Sequence, residues 1–145
     1  MEISKETVFL LVEDSDAHAK LIKNAFLHHG CPAILERVKN GNDVFKYLDS
    51  QEEFVNRPIP DIILLDLNIP GIDGFEVLRR LKKYERYKYI PVVILTTSKS
   101  FLDIKKAYLE HANSYIVKPV DYEEFKKVVT GMKSYWSEYN ERHNF

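Results

Sequence analysis

The chain has a single cysteine, Cys31, in 145 residues. That excludes an internal disulfide and any cysteine-built metal site. It has no unbroken apolar run of about 18 residues, so no stretch reads as a membrane-spanning helix. The opening Met1-Glu2-Ile3-Ser4-Lys5-Glu6 lacks the basic-then-apolar order of a secretion signal. A formal net charge of -1 removes the simplest argument for a polyanionic partner. Neither GxGxxG nor GxxxxGK[ST] occurs, which leaves no nucleotide-cradling loop. The histidines, His18 among them, are scattered, and none reads as a metal ligand. Repeats, low-complexity segments and dividing linkers are absent as well. What these absences leave is one globular domain, expected in the cytoplasm, with no membrane and no direct DNA contact.

What is present is alternation. Ile59-Pro60-Asp61-Ile62-Ile63-Leu64-Leu65-Asp66 carries a short apolar run ending in a carboxylate, followed by the turn Leu67-Asn68-Ile69-Pro70-Gly71. A short run without polar interruption reads as a strand buried on both faces, as in the middle of a parallel sheet. Thr7–Val12, Ala33–Val38, Val92–Thr96 and Ser114–Val117 are further strand candidates. Between them lie helical patterns: Ala17–His29 with Gly30 as its stop, Asp43–Ser50 after a turn at Asn40-Gly41, and a helix from near Gly74 with Phe75, Leu78 and Leu81 inward. Ile104, Ala107 and Tyr108 mark another, and a long helix opened by the capping pattern Asp121-Tyr122-Glu123-Glu124 closes the chain. Gln51–Pro60 reads as a polar link. Strands alternating with helices call for a doubly wound α/β sheet, with chemistry at the carboxyl ends of the strands.

Those ends deliver Glu13 and Asp14, Asp66, Thr96 and Lys118. Clustered carboxylates repel one another unless a cation lies among them. An oxygen-only donor set favours a hard ion, and magnesium suits a few carboxylates plus a phosphate, with manganese as an alternative. The layout suits phosphoryl transfer onto a carboxylate, with Asp66 as nucleophile, Lys118 paired with it or its phosphoryl oxygen, and Thr96 donating a hydrogen bond. Singly, each residue has a plainer explanation: helix-end acids, an ordinary strand threonine, a solvated lysine, and a turn residue at Asn68.

Taken in order, these motifs resemble the response-regulator receiver domains of two-component signalling, across almost the whole chain. The resemblance implies a five-stranded, flavodoxin-like sheet of order 2-1-3-4-5, spanning 1–145 with a core of about 5–130 and a closing helix to about 140. It implies metal binding by Glu13, Asp14, Asp66 and the backbone carbonyl of Asn68. Asp66 becomes the phosphoacceptor, and a cis bond is expected at Lys118-Pro119. Thr96 and Tyr115 become the switch pair, and the donor a sensor histidine kinase. Leu95-Thr96-Thr97-Ser98 and the aromatic last helix are similar to the single-domain regulators serving cyanobacterial phytochrome kinases. Thr97 departs from the family, which often has Ala or Gly there, and the Gln51–Pro60 link is longer than in the smallest members.

With no DNA-binding domain expected after residue 145, output would pass through protein contacts. Tyr135, Trp136 and Tyr139 are expected to run beyond the sheet's edge. With Tyr108, they would form a homodimer interface through helix four, strand five and helix five. Two rivals remain. A phosphorylation-independent adaptor is disfavoured by the intact Asp66, Thr96 and Lys118. A flavin carrier is disfavoured because Glu13, Asp14 and Asp16 would repel phosphate.

Overall fold

The structure, a computed structural model, describes residues 6–28, 30 and 32–143. Cys31 and His29 lie outside the described residues. The elements run β1 (Thr7–Val12), α1 (Asp16–His28), β2 (Ala33–Val38), α2 (Gly41–Leu48), β3 (Ile62–Leu65), α3 (Gly74–Lys83), β4 (Val92–Thr96), α4 (Phe101–Leu109), β5 (Ser114–Val117) and α5 (Tyr122–Ser134). All strands are parallel, in the order β2-β1-β3-β4-β5. This is the doubly wound sheet expected from the alternation.

The three central strands are apolar on both sides because each side meets its own layer of helices. Phe9 and Leu11, Ile62 and Leu64, Val93 and Leu95 face Ile22, Ala25 and Phe26 of α1 and Phe125, Val129 and Met132 of α5. Leu10 and Val12, Ile63 and Leu65, Val92 and Ile94 face Val44 and Tyr47 of α2 and Val77, Leu78 and Leu81 of α3. Every β5 residue is only half-buried, as befits an edge strand. Lys133 is buried late in α5 and donates to the Phe26 carbonyl at 2.6 Å, tying α5 to α1.

Three segments differ from the sequence expectation. Helix α2 starts at Gly41 rather than Asp43, because Asn40 caps it by accepting the Asp43 amide at 2.8 Å. The Gln51–Pro60 link holds a short 3-10 turn, Glu52–Phe54, with Phe54 in the core and the Tyr47 hydroxyl donating to the Pro58 carbonyl at 2.7 Å. Helix α4 buries only Ala107 fully and leaves Tyr108, placed by the sequence at an interface, 49% exposed. After Ser134 the chain takes a π-helical turn, Tyr135–Tyr139. The tail then meets the opposite end of the sheet from Asp66, with Arg142 3.4 Å from Asp61 and the His143 ring against Tyr89.

Candidate phosphoacceptor site

Parallel pairing with matched register brings the carboxyl ends of β1, β3 and β4 to one edge, so Glu13, Asp66 and Thr96 arrive together. Asp66 is held from two sides. Its Oδ1 accepts the Asn68 amide at 3.1 Å and its Oδ2 accepts Lys118 Nζ at 2.9 Å. Gly74 lets α3 begin directly against this turn: a Cβ there would lie 2.6 Å from the Leu67 Cα and 2.9 Å from the Asp66 carbonyl oxygen. Among residues with side chains, none would fit without moving backbone.

Lys118, buried at the end of β5, reaches Glu13 Oε1, Asp66 Oδ2 and, at 3.0 Å, His18 Nδ1. Its own amide donates to the Thr96 carbonyl at 2.7 Å, which fixes where its stem begins. Burial pushes the Glu13 carboxyl above its usual range. The hydrogen bond and charge of Lys118 pull it back, and the nearby Asp66 opposes that pull. The ammonium therefore supplies countercharge to both buried carboxylates.

Asp14 is exposed, and Glu13 turns inward to Lys118 and to the Ser15 amide at 3.2 Å. Among the described residues, no three acidic, histidine or cysteine side chains are gathered closely enough to hold a metal. Lys118 lies between two of the three carboxylates, bonded to both Glu13 and Asp66, while Asp14 stays exposed. Asp14, exposed, and Asp66, buried, together with the Asn68 carbonyl, offer oxygen donors only. Such donors suit a hard divalent cation whose remaining positions are filled by water and phosphate.

Thr96 is fully buried, and its Oγ1 lies 3.5 Å from the Ser98 amide. The Tyr115 hydroxyl donates to the Ser98 carbonyl at 3.0 Å, while Ser98 Oγ donates to Asp103 of α4 at 2.6 Å. Thr96, Tyr115 and the first turn of α4 are therefore joined through one residue, Ser98, whose linking role sequence reading missed. Thr97 is exposed beside Asp66's edge of the sheet.

Among the described residues no peptide bond is cis, and this includes Lys118-Pro119, contrary to the expectation. An X-Pro bond keeps a trans preference of about 0.5–1 kcal/mol, and Lys118 reaches both carboxylates from the trans form. Of the expected interface residues, Tyr108, Tyr135 and Tyr139 are exposed, whereas Trp136 is half-buried against the α1–α5 core. His18 was also missed. Its ring contacts Lys118 from α1, and the available signal was its place four residues after Asp14, in the first turn of α1.

A doubly wound sheet that gathers a carboxylate, a lysine and a buried threonine at its strand ends defines a phosphate-handling signalling domain of the two-component class. Residues 9–130 match the response regulator receiver domain family, and the chain belongs to it. It is 42% identical over 140 residues to the probable methanogenesis regulatory protein FilR2 of Methanothrix harundinacea, covering 97% of this chain and 90% of that one. It is 38% identical over 137 residues to the response regulator Rcp1 of Synechocystis, covering 94% and 93%. Among solved structures it resembles the phosphorylated cyanobacterial phytochrome response regulator RcpA (TM-score 0.91, 35% identity, 97% of this chain and 100% of that one). The Mn2+-bound form of Rcp1 is similar as well (TM-score 0.89, 37% identity, 95% and 99%). The chain is thus a receiver-domain response regulator, a signalling switch close to the phytochrome response regulators. None of its described helices is long and apolar enough to cross a membrane.

Proposed function

We propose that Asp66 is the phosphoacceptor of this regulator, taking a phosphoryl group from a sensor histidine kinase in the cytoplasm. The observation that carries this reading is the Asp66 carboxylate held between the Asn68 amide and Lys118, beside the buried Thr96. In the transfer, an Asp66 oxygen forms the O–P bond as the donor's N–P bond breaks. The leaving imidazole carries off the electron pair and takes up a proton. Lys118 moves its hydrogen bond from the carboxylate to a phosphoryl oxygen, and Thr96 offers its hydroxyl to another.

A divalent cation, magnesium or manganese, would be held by Asp14, Asp66 and the Asn68 carbonyl, with Glu13 at one remove behind Lys118. It would offset charge on the transferred group. The Mn2+-bound Rcp1 supports a metal of this type. The likeness to RcpA and Rcp1 supports a phytochrome-type kinase as the first donor to test. FilR2, named for a different pathway, is as similar, so the donor class is set at histidine kinases in general.

Phosphorylation adds negative charge and acceptor oxygens at one point. Thr96 drawn toward them would release its hold near Ser98, and with it the Tyr115 hydroxyl and the start of α4. The output is then a change in the α4–β5–α5 face, read by a protein partner or a second copy rather than by DNA. The domain acts as a switch and not as a turnover enzyme, apart from promoting loss of its own phosphate. The experiment is intact-mass measurement after incubation with a small phosphodonor, with and without magnesium. One phosphoryl group should be gained, dependent on the metal, and none by Asp66→Asn. An equal gain in that variant sinks the assignment.

A further inference from the structure

An ammonium group has three N–H donors and no acceptor. Lys118 gives each to a different partner: Glu13 Oε1, Asp66 Oδ2 at 2.9 Å and His18 Nδ1 at 3.0 Å. The first two come from the sheet side, just past the ends of β1 and β3. The third comes from α1, across the strand ends, so it is the contact that fixes the ammonium from outside the sheet. A lysine has four rotatable bonds and holds its charge in place only as well as its partners do. With Glu13 and Asp66 alone, Nζ could swing about the line joining them.

Because the ammonium can only donate, His18 Nδ1 accepts, which puts the ring proton of the neutral imidazole on Nε2. The ring is itself placed. The His18 amide donates to Ser15 Oγ at 3.2 Å at the head of α1, and the ring stands against Phe125 with centroids 6.4 Å apart. The His18 side chain is 38% exposed, so its removal need not unsettle the core. It lines a cleft of about 310 Å³ together with Thr97, Lys99, Lys118, Val120 and Phe125, at the open side of the site.

We propose that His18 is a positioning residue for phosphoryl transfer, holding the Lys118 ammonium where it meets the transferred group through the hydrogen bond to Nδ1. This rests on Asp66 being the phosphoacceptor. His18 touches no reacting atom; it acts through Lys118. The bond matters most when Lys118 must leave one Asp66 oxygen for a phosphoryl oxygen, since the His18 contact is one of the two that can persist through that move.

The test compares wild type with His18→Leu, which removes the acceptor, and His18→Asn, whose Oδ1 is as many bonds from the backbone as Nδ1. The first readout is Asp66 phosphorylation by a small phosphodonor across donor concentrations in magnesium. The second, independent of activity, is the Nζ resonance of Lys118 in protein labelled with 15N-lysine. Removal of one net hydrogen bond corresponds to a roughly three- to ten-fold change. His18→Leu should lower the maximal rate by that factor while leaving the half-saturating donor concentration unchanged, and should shift and exchange-broaden the Nζ signal. His18→Asn should recover most of both. A His18→Leu rate equal to wild type, or a His18→Asn rate as low as His18→Leu, overturns the proposal. A wild type that gains no phosphoryl group at Asp66 sinks the phosphoacceptor reading first, and the role of His18 falls with it.

Discussion

Lys118 is the residue on which the candidate site turns, because its one positive charge lies between two carboxylates that burial would otherwise set against each other. Removing one partner of a buried ionic group leaves the rest uncompensated, a cost of roughly 3–5 kcal/mol. Lys118→Met keeps most of the stem volume but not the charge, and should lower stability in urea unfolding by roughly 3 kcal/mol. Adding Glu13→Gln should restore a clear part of that loss, because one of the two stranded charges disappears. Additive losses would show that the Glu13–Lys118 contact contributes little. A second residue-scale expectation concerns Tyr87, whose hydroxyl donates to Asp49. Burial and that carboxylate push its phenol from 10.0 up to about 12. A raised folded-state value means the stabilisation is complete below the ordinary value and is lost as pH rises through the folded one. Stability should therefore fall between about pH 10 and 12, and Tyr87→Phe should fall less over the same interval in urea titrations at pH 9 and 11. Asp66, Thr96 and Lys118 were legible in the sequence because each ends a strand, where position along the chain and position in space coincide. His18 was not, since its neighbour is the end of β5, one hundred residues on.

At the scale of elements, the junction of β3 and α3 is the tightest near the site. Gly74 has no room for a Cβ beside the Leu67 backbone and the Asp66 carbonyl. Gly74→Ala would push the head of α3 away from the turn that aims Asp66. Overpacking of this kind costs about 1–3 kcal/mol, and unfolding midpoints should show it. Amide shifts of Asp66 and Asn68 should move with it; unchanged shifts would mean the helix, not the turn, absorbs the strain. Helix α4 is the opposite case. With Ala107 its only fully buried residue and with Phe101 and Leu102 exposed, it is held mainly by polar ties: its cap, Ser98, the Arg79–Glu110 ion pair at its end and Lys106 over the Phe75 ring. Its amides should exchange with deuterium well before those of β1 and β3, and uniform protection would argue against α4 as the moving part. This contrast explains which elements could be read in advance. Strands apolar on both sides have one stable location, so their bounds followed from composition. The pattern at Ile104, Ala107 and Tyr108 marks the helix without fixing its ends, because a helix over an edge strand has little sheet to cover. The start of α2 depended on whether Asn40 capped or turned, and both uses suit the same residue.

For the whole molecule, the open question is what covers the apolar surface that folding leaves outside. On α4, Phe101, Leu102 and Leu109 are 75%, 73% and 68% exposed, with Tyr108 beside them. At the other end of α5, Tyr135 and Tyr139 are exposed as well. Apolar side chains grouped in this way on a domain of this size are commonly covered by a partner. The sequence alone groups Tyr135, Trp136 and Tyr139 as one exposed cluster. The structure divides them: Trp136 packs on the α1–α5 core, so its loss would damage the fold and the interface together. We therefore expect a symmetric dimer through α4, β5 and α5, in which each copy presents the same patch to the other. Such a dimer would bury the exposed face of α4, the element tied to Thr96 and Tyr115 through Ser98. Phosphorylation and pairing would then bias one another, and each would strengthen the other by the same factor. Sedimentation equilibrium over a range of micromolar concentrations should give a dimer, tighter in the presence of a beryllofluoride phosphate mimic. Leu102→Glu with Leu109→Glu places like charges on the shared patch without touching the core, and should yield a folded monomer. Tyr139→Ala should weaken pairing only if the closing turn takes part. A wild type that remains monomeric at high micromolar concentration, with and without the mimic, would leave the α4 patch to a different protein partner.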